Sequence, residues 1–262
     1  VGEAVPLAGV RVLVTRPREQ AGNLARLIEA DGGEAFVFPA LEIAPVADPS
    51  ALERILARLG EFDLAIFVSA NAVRHGLARH PAPALPHGLR IAAVGEATAR
   101  ALRGQGVDEV LLPSARFDSE ALLALPELQA MAGRRVVIFR GEGGRELLAD
   151  ALRARGARVE HAECYRRVKP ASDPAPLLGR LRDGALDIAT VTSVETLDNL
   201  LLLAGEAGAA PLKRLPVVVV SERIARACQA AGFAQPALVS RAASDEAIVE
   251  RLRAWRQGRN SL

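Results

Sequence analysis

Six short phrases carry the polar side chains and glycines that could do chemistry. They are Thr15-Arg16-Pro17, Ser69-Ala70-Asn71, Val94-Gly95-Glu96-Ala97-Thr98, the glycine-rich Arg140–Arg145, Ser193-Val194-Glu195-Thr196 and Ser221-Glu222-Arg223-Ile224-Ala225. The set is hydroxyls, glycines and arginines, with no carboxylate pair, histidine or cysteine to serve hydrolysis by a triad. It suits holding a polyanion. Backbone N–H groups at helix starts favour negative charge, and a guanidinium grips carboxylate or phosphate with two parallel donors. Candidate ligands are therefore Thr15, Ser69, Asn71, Gly95, Thr98, Gly141, Ser193 and Ser221, with Arg16, Arg140, Arg145 and Arg223 as cationic grips. Ser69, Ser193 and Ser221 serve equally well as helix N-caps, Gly141, Gly143 and Gly144 as a tight turn, and each arginine as a solvated surface charge. Tyr165, the single tyrosine, is either a packing residue or a protonated phenol facing a ligand.

Each phrase needs an element to hold it. Short apolar, β-branched runs precede them, at Val12–Val14, Leu64–Val68, Val136–Phe139 and Val217–Val220, and such runs suit strands buried on both faces of a sheet. Helical spacing follows, as in Ala21, Leu24, Leu27 and Ile28, or Leu148, Ala151 and Leu152. Glycine then closes helices at Gly32, Gly106, Gly156 and Gly232. Strand alternating with helix predicts parallel α/β sheets with right-handed crossovers. Ligands of such sheets sit outside the carboxyl ends of the strands, where these phrases fall.

The chain also repeats itself. "RVLVTRPREQAGNLARLIEADGG" from Arg11 aligns with "RVVIFRGEGGRELLADALRARGA" from Arg135 at a shift of 124 positions, and "DLAIFVSANAV" from Asp63 with "DIATVTSVETL" from Asp187 at the same shift. "AAVGEATARAL" and "SEALLAL" align with "VVVSERIARAC" and "DEAIVER" at a shift of 126. Four matches in one order predict an internal duplication and two α/β domains. Contiguous halves and an interleaved arrangement fit the sequence equally. Two extended, Pro-rich stretches, Phe36–Ser50 and Ala162–Leu177, read as connectors.

The totals narrow the function. Formal charge over 262 residues is +2, so no global field points to nucleic acid. Only Lys169 and Lys213 are lysines, a bias that either reflects codon usage or supplies forked recognition. Cys164, Cys228 and the four scattered histidines show no metal-ligand spacing, so neither metal nor disulfide is expected. "GEGGRE" is an incomplete dinucleotide fingerprint, because Glu146 stands at the third glycine position. The N-terminal "VGEAVPLAG" lacks signal-peptide character, and no apolar run suggests a membrane span. A soluble, cytoplasmic monomer acting on a small molecule is expected, with no nucleic acid, membrane or cofactor.

The series "VLVTRP", "IFVSANAV", "AAVGEATARAL", "RGEGGRELLADALRARGA", "CYRR", "TSVETLDNLL" and "SERIA" resembles the uroporphyrinogen-III synthase family in content and order. That resemblance implies two flavodoxin-like parallel-sheet domains from an internal duplication, joined by a two-stranded connector. One domain would comprise residues 1–37 and 170–262, the other 45–161, with connector strands 38–44 and 162–169. It implies cyclisation of hydroxymethylbilane, a linear tetrapyrrole bearing acetates and propionates, to uroporphyrinogen III. Water is lost from the hydroxymethyl group, and the last pyrrole ring is inverted without cofactor or metal; unaided closure gives the uninverted isomer. Tyr165 matches the family tyrosine proposed to protonate the departing hydroxyl, Thr98 a cleft threonine, and Ser69 and Ser193 cleft hydroxyls. The pattern departs at Ile224, which stands where the echo of Thr98 would be. The alternative function is a non-catalytic, two-lobed small-anion binding protein.

Overall fold

The structure, a computed structural model, describes residues 5–80, 84–114 and 117–260. The start of "VGEAVPLAG" at 1–4 and part of the Pro-rich insertion His80–Gly88 lie outside them. Among the described residues the strands are β1 (Arg11–Val14), β2 (Glu34–Val37), β3 (Glu42–Pro45), β4 (Leu64–Phe67), β5 (Arg90–Ala93), β6 (Arg135–Gly141), β7 (Arg158–Val168), β8 (Ile188–Val191), β9 (Val217–Val219) and β10 (Leu238–Val239). The α-helices are α1 (Arg18–Ala30), α2 (Ser50–Ala57), α3 (Ala70–Leu77), α4 (Glu96–Arg103), α5 (Ser119–Leu123), α6 (Leu147–Ala154), α7 (Ala175–Arg182), α8 (Val194–Arg214), α9 (Glu222–Ala230) and α10 (Asp245–Asn260).

The fold is α/β, and the chain divides into two compact units, Val1–Glu42 with Val168–Leu262, and Ile43–Arg167. The first holds a sheet of order β10-β9-β8-β1-β2, every pairing parallel. The second sheet runs β3-β7-β6-β4-β5, parallel from β7 to β5.

Burial explains the β-branched runs. Side chains alternate across a sheet, so a strand covered on both faces must be apolar at every position. In the second unit Ala65, Phe67, Val137 and Phe139 enter one core, while Leu64, Ile66, Val136 and Ile138 enter the core on the opposite face. The first unit does the same with Leu13, Ala189 and Val191 against Val12, Val14 and Ile188. The stacked rings of Phe67 and Phe139, 4.4 Å between centroids, fill the centre of the second unit.

The ladders of the two sheets coincide under the sequence shift. Arg11 pairs with Glu34 as Arg135 pairs with Arg158, and Val12 with Ile188 as Val136 with Leu64. Helix ends coincide too. Gly32 and its counterpart Gly156 have φ of 78° and 85°, left-handed values that close α1 and α6 and that a side chain would strain. The final helices differ: α5 has 5 residues and α10 has 16, so the sequence match there does not extend to length. Helix α8 breaks at Gly205 (φ 57°, ψ −167°), a kink the sequence reading did not anticipate.

One acid brackets the start of each sheet. The Asp187 Oδ2 accepts the backbone N–H of Arg11 at 2.8 Å, and the Asp63 Oδ2 that of Arg135 at 2.8 Å. Arg11 also forks onto Asp187, donating at 2.9 Å to each carboxylate oxygen. The Arg11 side-chain bond, ahead of the backbone bond, holds the Asp187 carboxyl below the usual range. A depressed folded pKa contributes stability above the unfolded value, and that stability is lost as pH falls through the folded one. Asp187→Asn should therefore cost about 1.5–3 kcal/mol near neutral pH. Its deficit should shrink when denaturant unfolding is repeated below about pH 4; a deficit constant down to acid pH would contradict the linkage.

Candidate functional site

The carboxyl ends of β4, β5, β6 and β7 bring most of the second unit's candidates to one end of its sheet. Ser69 follows β4 in extended backbone and caps α3, its Oγ accepting the Ala72 N–H at 3.1 Å. Ser193 does the same for α8, accepting the Thr196 N–H at 3.0 Å and pairing with the Thr196 hydroxyl at 2.7 Å. The N-cap role thus accounts for one bond of each serine. Gly95 and Ser221 begin α4 and α9 with no side-chain cap. The two units therefore share a pattern: the helix after β4 or β8 is capped by a serine hydroxyl, and the helix after β5 or β9 has no side-chain cap. Thr98 lies buried in the first turn of α4, and Asn71 is half-buried in α3.

Tyr165 owes its direction to an irregularity in β7. Arg140 pairs with Glu163, but Gly141 pairs with Tyr165, so one extra residue is inserted. Strict alternation would send Cys164 and Tyr165 to opposite faces; the bulge sends both into the same core. The phenol ring settles on Gly141, where an added Cβ would stand 2.7 Å from Cε2 and 2.8 Å from Cζ. Gly141 is therefore required by close approach. In the following turn it is Gly143 that has positive φ, 67°. The Tyr165 oxygen lies 3.1 Å from Ser69 Oγ. His75 flanks the ring at 6.0 Å between centroids, and the Arg167 guanidinium stands 5.8 Å from its centre.

The sequence reading did not select His75 or Arg167. Arg167 had a signal, since a strand residue two places beyond Tyr165 shares its face. His75 had only its place on the helix that Ser69 caps.

The arginines divide into two kinds. Arg140, expected as a grip, is buried and bound internally: it donates to Glu146 Oε1 at 2.7 Å and to the Gly144 carbonyl at 2.9 Å. It braces the glycine-rich loop instead of opening to a ligand. Burial first, then the positive charge of Arg140, pushes His161 below its ordinary pKa, keeping the imidazole neutral beside the guanidinium. Arg16 is likewise paired, with Asp245 at the start of α10, and that carboxylate also accepts from Asn23 Nδ2 at 2.8 Å. Thr15 is fully buried and donates to the Thr190 carbonyl at 2.6 Å, which removes it as a ligand hydroxyl. Arg145 and Arg223 are exposed and have no hydrogen-bond or ion-pair partner among the described residues.

The cysteines are buried, and burial raises the thiol pKa of Cys164 to about 12 and of Cys228 to about 11, so neither is a thiolate nucleophile at neutral pH. Among the described residues no group of three or more His, Cys, Asp or Glu could hold a metal ion, and no helix is long and apolar enough to cross a membrane. Among the candidate residues the chemistry on offer is that of hydroxyl donors, the backbone amides of helix starts and the exposed guanidinium groups of Arg145 and Arg223.

Comparison with known proteins gives a consistent answer. A family model described as uroporphyrinogen-III synthase HemD matches residues 22–250. The uroporphyrinogen-III synthase of Escherichia coli is 36% identical over 247 residues, covering 92% of this chain and 99% of that protein. Among solved structures, a mutant uroporphyrinogen III synthase from Thermus thermophilus matches with a TM-score of 0.61 at 21% identity, covering 97% of this chain and all of that one. The Helicobacter pylori uroporphyrinogen-III synthetase matches with 0.58 at 17% identity, covering 94% and 99%. At such identities the structural likeness speaks for the fold; the sequence match speaks for the family.

Proposed function

This chain belongs to the uroporphyrinogen-III synthase family, an enzyme of tetrapyrrole biosynthesis, and on that premise we propose how its residues close the ring. The substrate is hydroxymethylbilane, and the product is uroporphyrinogen III with its last pyrrole inverted. Tyr165 is the proton source for the departing hydroxyl. In the second unit Arg145 and the uncapped start of α4 at Gly95 bind acetate or propionate groups, and Arg223 and Ser221 are the candidate carboxylate contacts of the first unit. Ser69, Asn71, Thr98 and Gly141 shape the surface of the second unit around the reacting end, and Ser193 is a candidate substrate contact on the first unit. The reaction runs in the cytoplasm, in a monomer, with no cofactor.

The observation that carries this reading is the Tyr165 phenol held against Ser69 and Gly141 at the carboxyl end of a parallel sheet. Loss of the hydroxyl from an electron-rich pyrrole is chemically easy, so the enzyme's main task is geometry. Orienting reacting groups can supply about 7–11 kcal/mol in favourable cases, which suits a site made of donors without a strong nucleophile. The coincident strand registers and the twin aspartate brackets support an origin by internal duplication, as two flavodoxin-like domains. Residues 38–44 and 162–169, around the two places where the chain passes from one unit to the other in sequence, are the connector; they overlap β3 and β7, which are neighbours in the second sheet.

Purified protein given enzymatically generated hydroxymethylbilane, without added metal or nucleotide, should yield the type III isomer faster than the uncatalysed type I. Type I alone at the uncatalysed rate would reject the reading, and tight binding of the bilane without turnover would instead favour an anion-binding protein.

A further inference from the structure

The proton for the departing hydroxyl has a route through two side chains. Tyr165 is only 2% exposed, whereas Ser69, whose oxygen is 3.1 Å from the phenol, is half-buried. A serine hydroxyl has one proton to donate and two lone pairs with which to accept. One lone pair of Ser69 Oγ takes the Ala72 N–H of the helix it caps. If the other takes the Tyr165 proton, the proton of Ser69 itself must point to a third partner. In the reverse orientation the unshared proton would sit on the phenol, enclosed by Gly141, His75 and the core.

We propose that Ser69 is a proton relay, passing its own proton to the leaving hydroxyl while receiving that of Tyr165. The proposal rests on the synthase reading above. As the C–O bond of the hydroxymethyl group breaks, both electrons stay on oxygen, which takes the Ser69 proton and departs as water. Ser69 Oγ takes the Tyr165 proton in the same motion, so the negative charge forms on the phenolate and not on a serine alkoxide. The pyrrole ring supplies the electron pair of the new exocyclic double bond. Its N–H proton then returns along the same two oxygens and restores the phenol. Arg167 places positive charge 5.8 Å from the ring on which the phenolate forms.

A relay fails when either member is missing. Ser69→Gly removes the hydroxyl while leaving a tolerated N-cap residue, and Ser69→Thr retains both hydroxyl and cap. Ser69→Gly and Tyr165→Phe should each lower kcat for type III formation about 30-fold, somewhat below the usual range for general acids because the leaving group departs easily. The double variant should be no slower than either single one, and Ser69→Thr should stay within about threefold of the parent. The solvent deuterium isotope effect on kcat should fall equally in both single variants. Near-parental Ser69→Gly beside a slow Tyr165→Phe would overturn the relay in favour of direct donation by the phenol. A double variant as slow as the product of the singles would overturn it in favour of two independent donors. Should Tyr165→Phe misfold, equal rates for Ser69→Gly and Ser69→Thr would still overturn it. Parental protein that forms only type I isomer would instead remove the synthase reading itself.

Discussion

Gly141→Ala is expected to lower kcat about a hundredfold in a protein that still folds. The backbone is not the obstacle, since Gly141 is absent from the positive-φ positions. The obstacle is the Tyr165 ring, whose Cε2 would lie 2.7 Å from the new methyl, well inside van der Waals contact. A flexible side chain would swing aside, but this ring is buried and pressed into the core that holds Phe67 and Phe139. Overpacking of this kind costs about 1–3 kcal/mol and is relieved by small shifts of side chain and strand. Any shift that clears the methyl carries the phenol oxygen with it, away from Ser69. Misplacement of a reacting group by about 1 Å can cost 10²-fold. The check is a cycle with Tyr165→Phe: in that background Gly141→Ala should add little, because the group it displaces is already gone. Full activity of Gly141→Ala, or a loss undiminished in the Tyr165→Phe background, would show that the close approach does not transmit to the reaction.

That glycine also marks where sequence reading stops. The strand runs, the closing glycines and the serine caps were legible because each is a local rule: apolar at every position, glycine where φ turns positive, hydroxyl where a helix begins. Gly141 itself reads as a candidate ligand or a turn residue, and neither reading contains its contact with Tyr165. In sequence it belongs to a glycine-rich turn; in space its lack of a side chain makes room for a ring 24 residues further on. The bulge that aims Tyr165 has no signature, because Cys164 and Tyr165 look like ordinary alternation until the register is known. The internal pairing of Arg16 is hidden for the same reason. Arg16 and Asp245 are 229 residues apart, and nothing local says that they meet. Thr15 read as a site hydroxyl because it follows a strand, yet its hydroxyl closes on a carbonyl of β8, 175 residues away.

The two units agree in some devices and differ in others. The bracket at Asp63 and Asp187, the ladder registers and the capped starts of α3 and α8 recur in both units. These are structural devices, independent of what either unit binds. Tyr165 has no aromatic or hydroxyl counterpart, since the position 124 residues earlier is Leu41. Thr98 is answered by Ile224. The second unit thus holds Tyr165 and Thr98 without polar counterparts, while the uncapped starts at Gly95 and Ser221 occur one in each unit.

Charge reversal tests the two exposed arginines among the candidates. Arg145→Glu and Arg223→Glu should each raise KM for the bilane about tenfold with kcat less affected, because each replaces attraction for a carboxylate with repulsion worth about 1.4 kcal/mol. Both side chains are exposed, so the effect is screened: the difference in KM should shrink as ionic strength rises from about 0.01 to 0.5 M. Arg16→Ala should behave otherwise. Its guanidinium is 18% exposed and paired with an Asp245 carboxylate that is 13% exposed, so removing it leaves a mostly buried charge with only Asn23 as a side-chain partner. The penalty falls on folding, on the order of 3 kcal/mol, and appears as a lower midpoint of thermal unfolding with KM changed little. The two kinds of arginine are therefore separated by which measurement moves. Arg16→Ala with unchanged thermal stability and a KM raised beyond that of Arg145→Glu would reverse the assignment, making the Asp245 pair a closed form of a grip that opens when substrate binds.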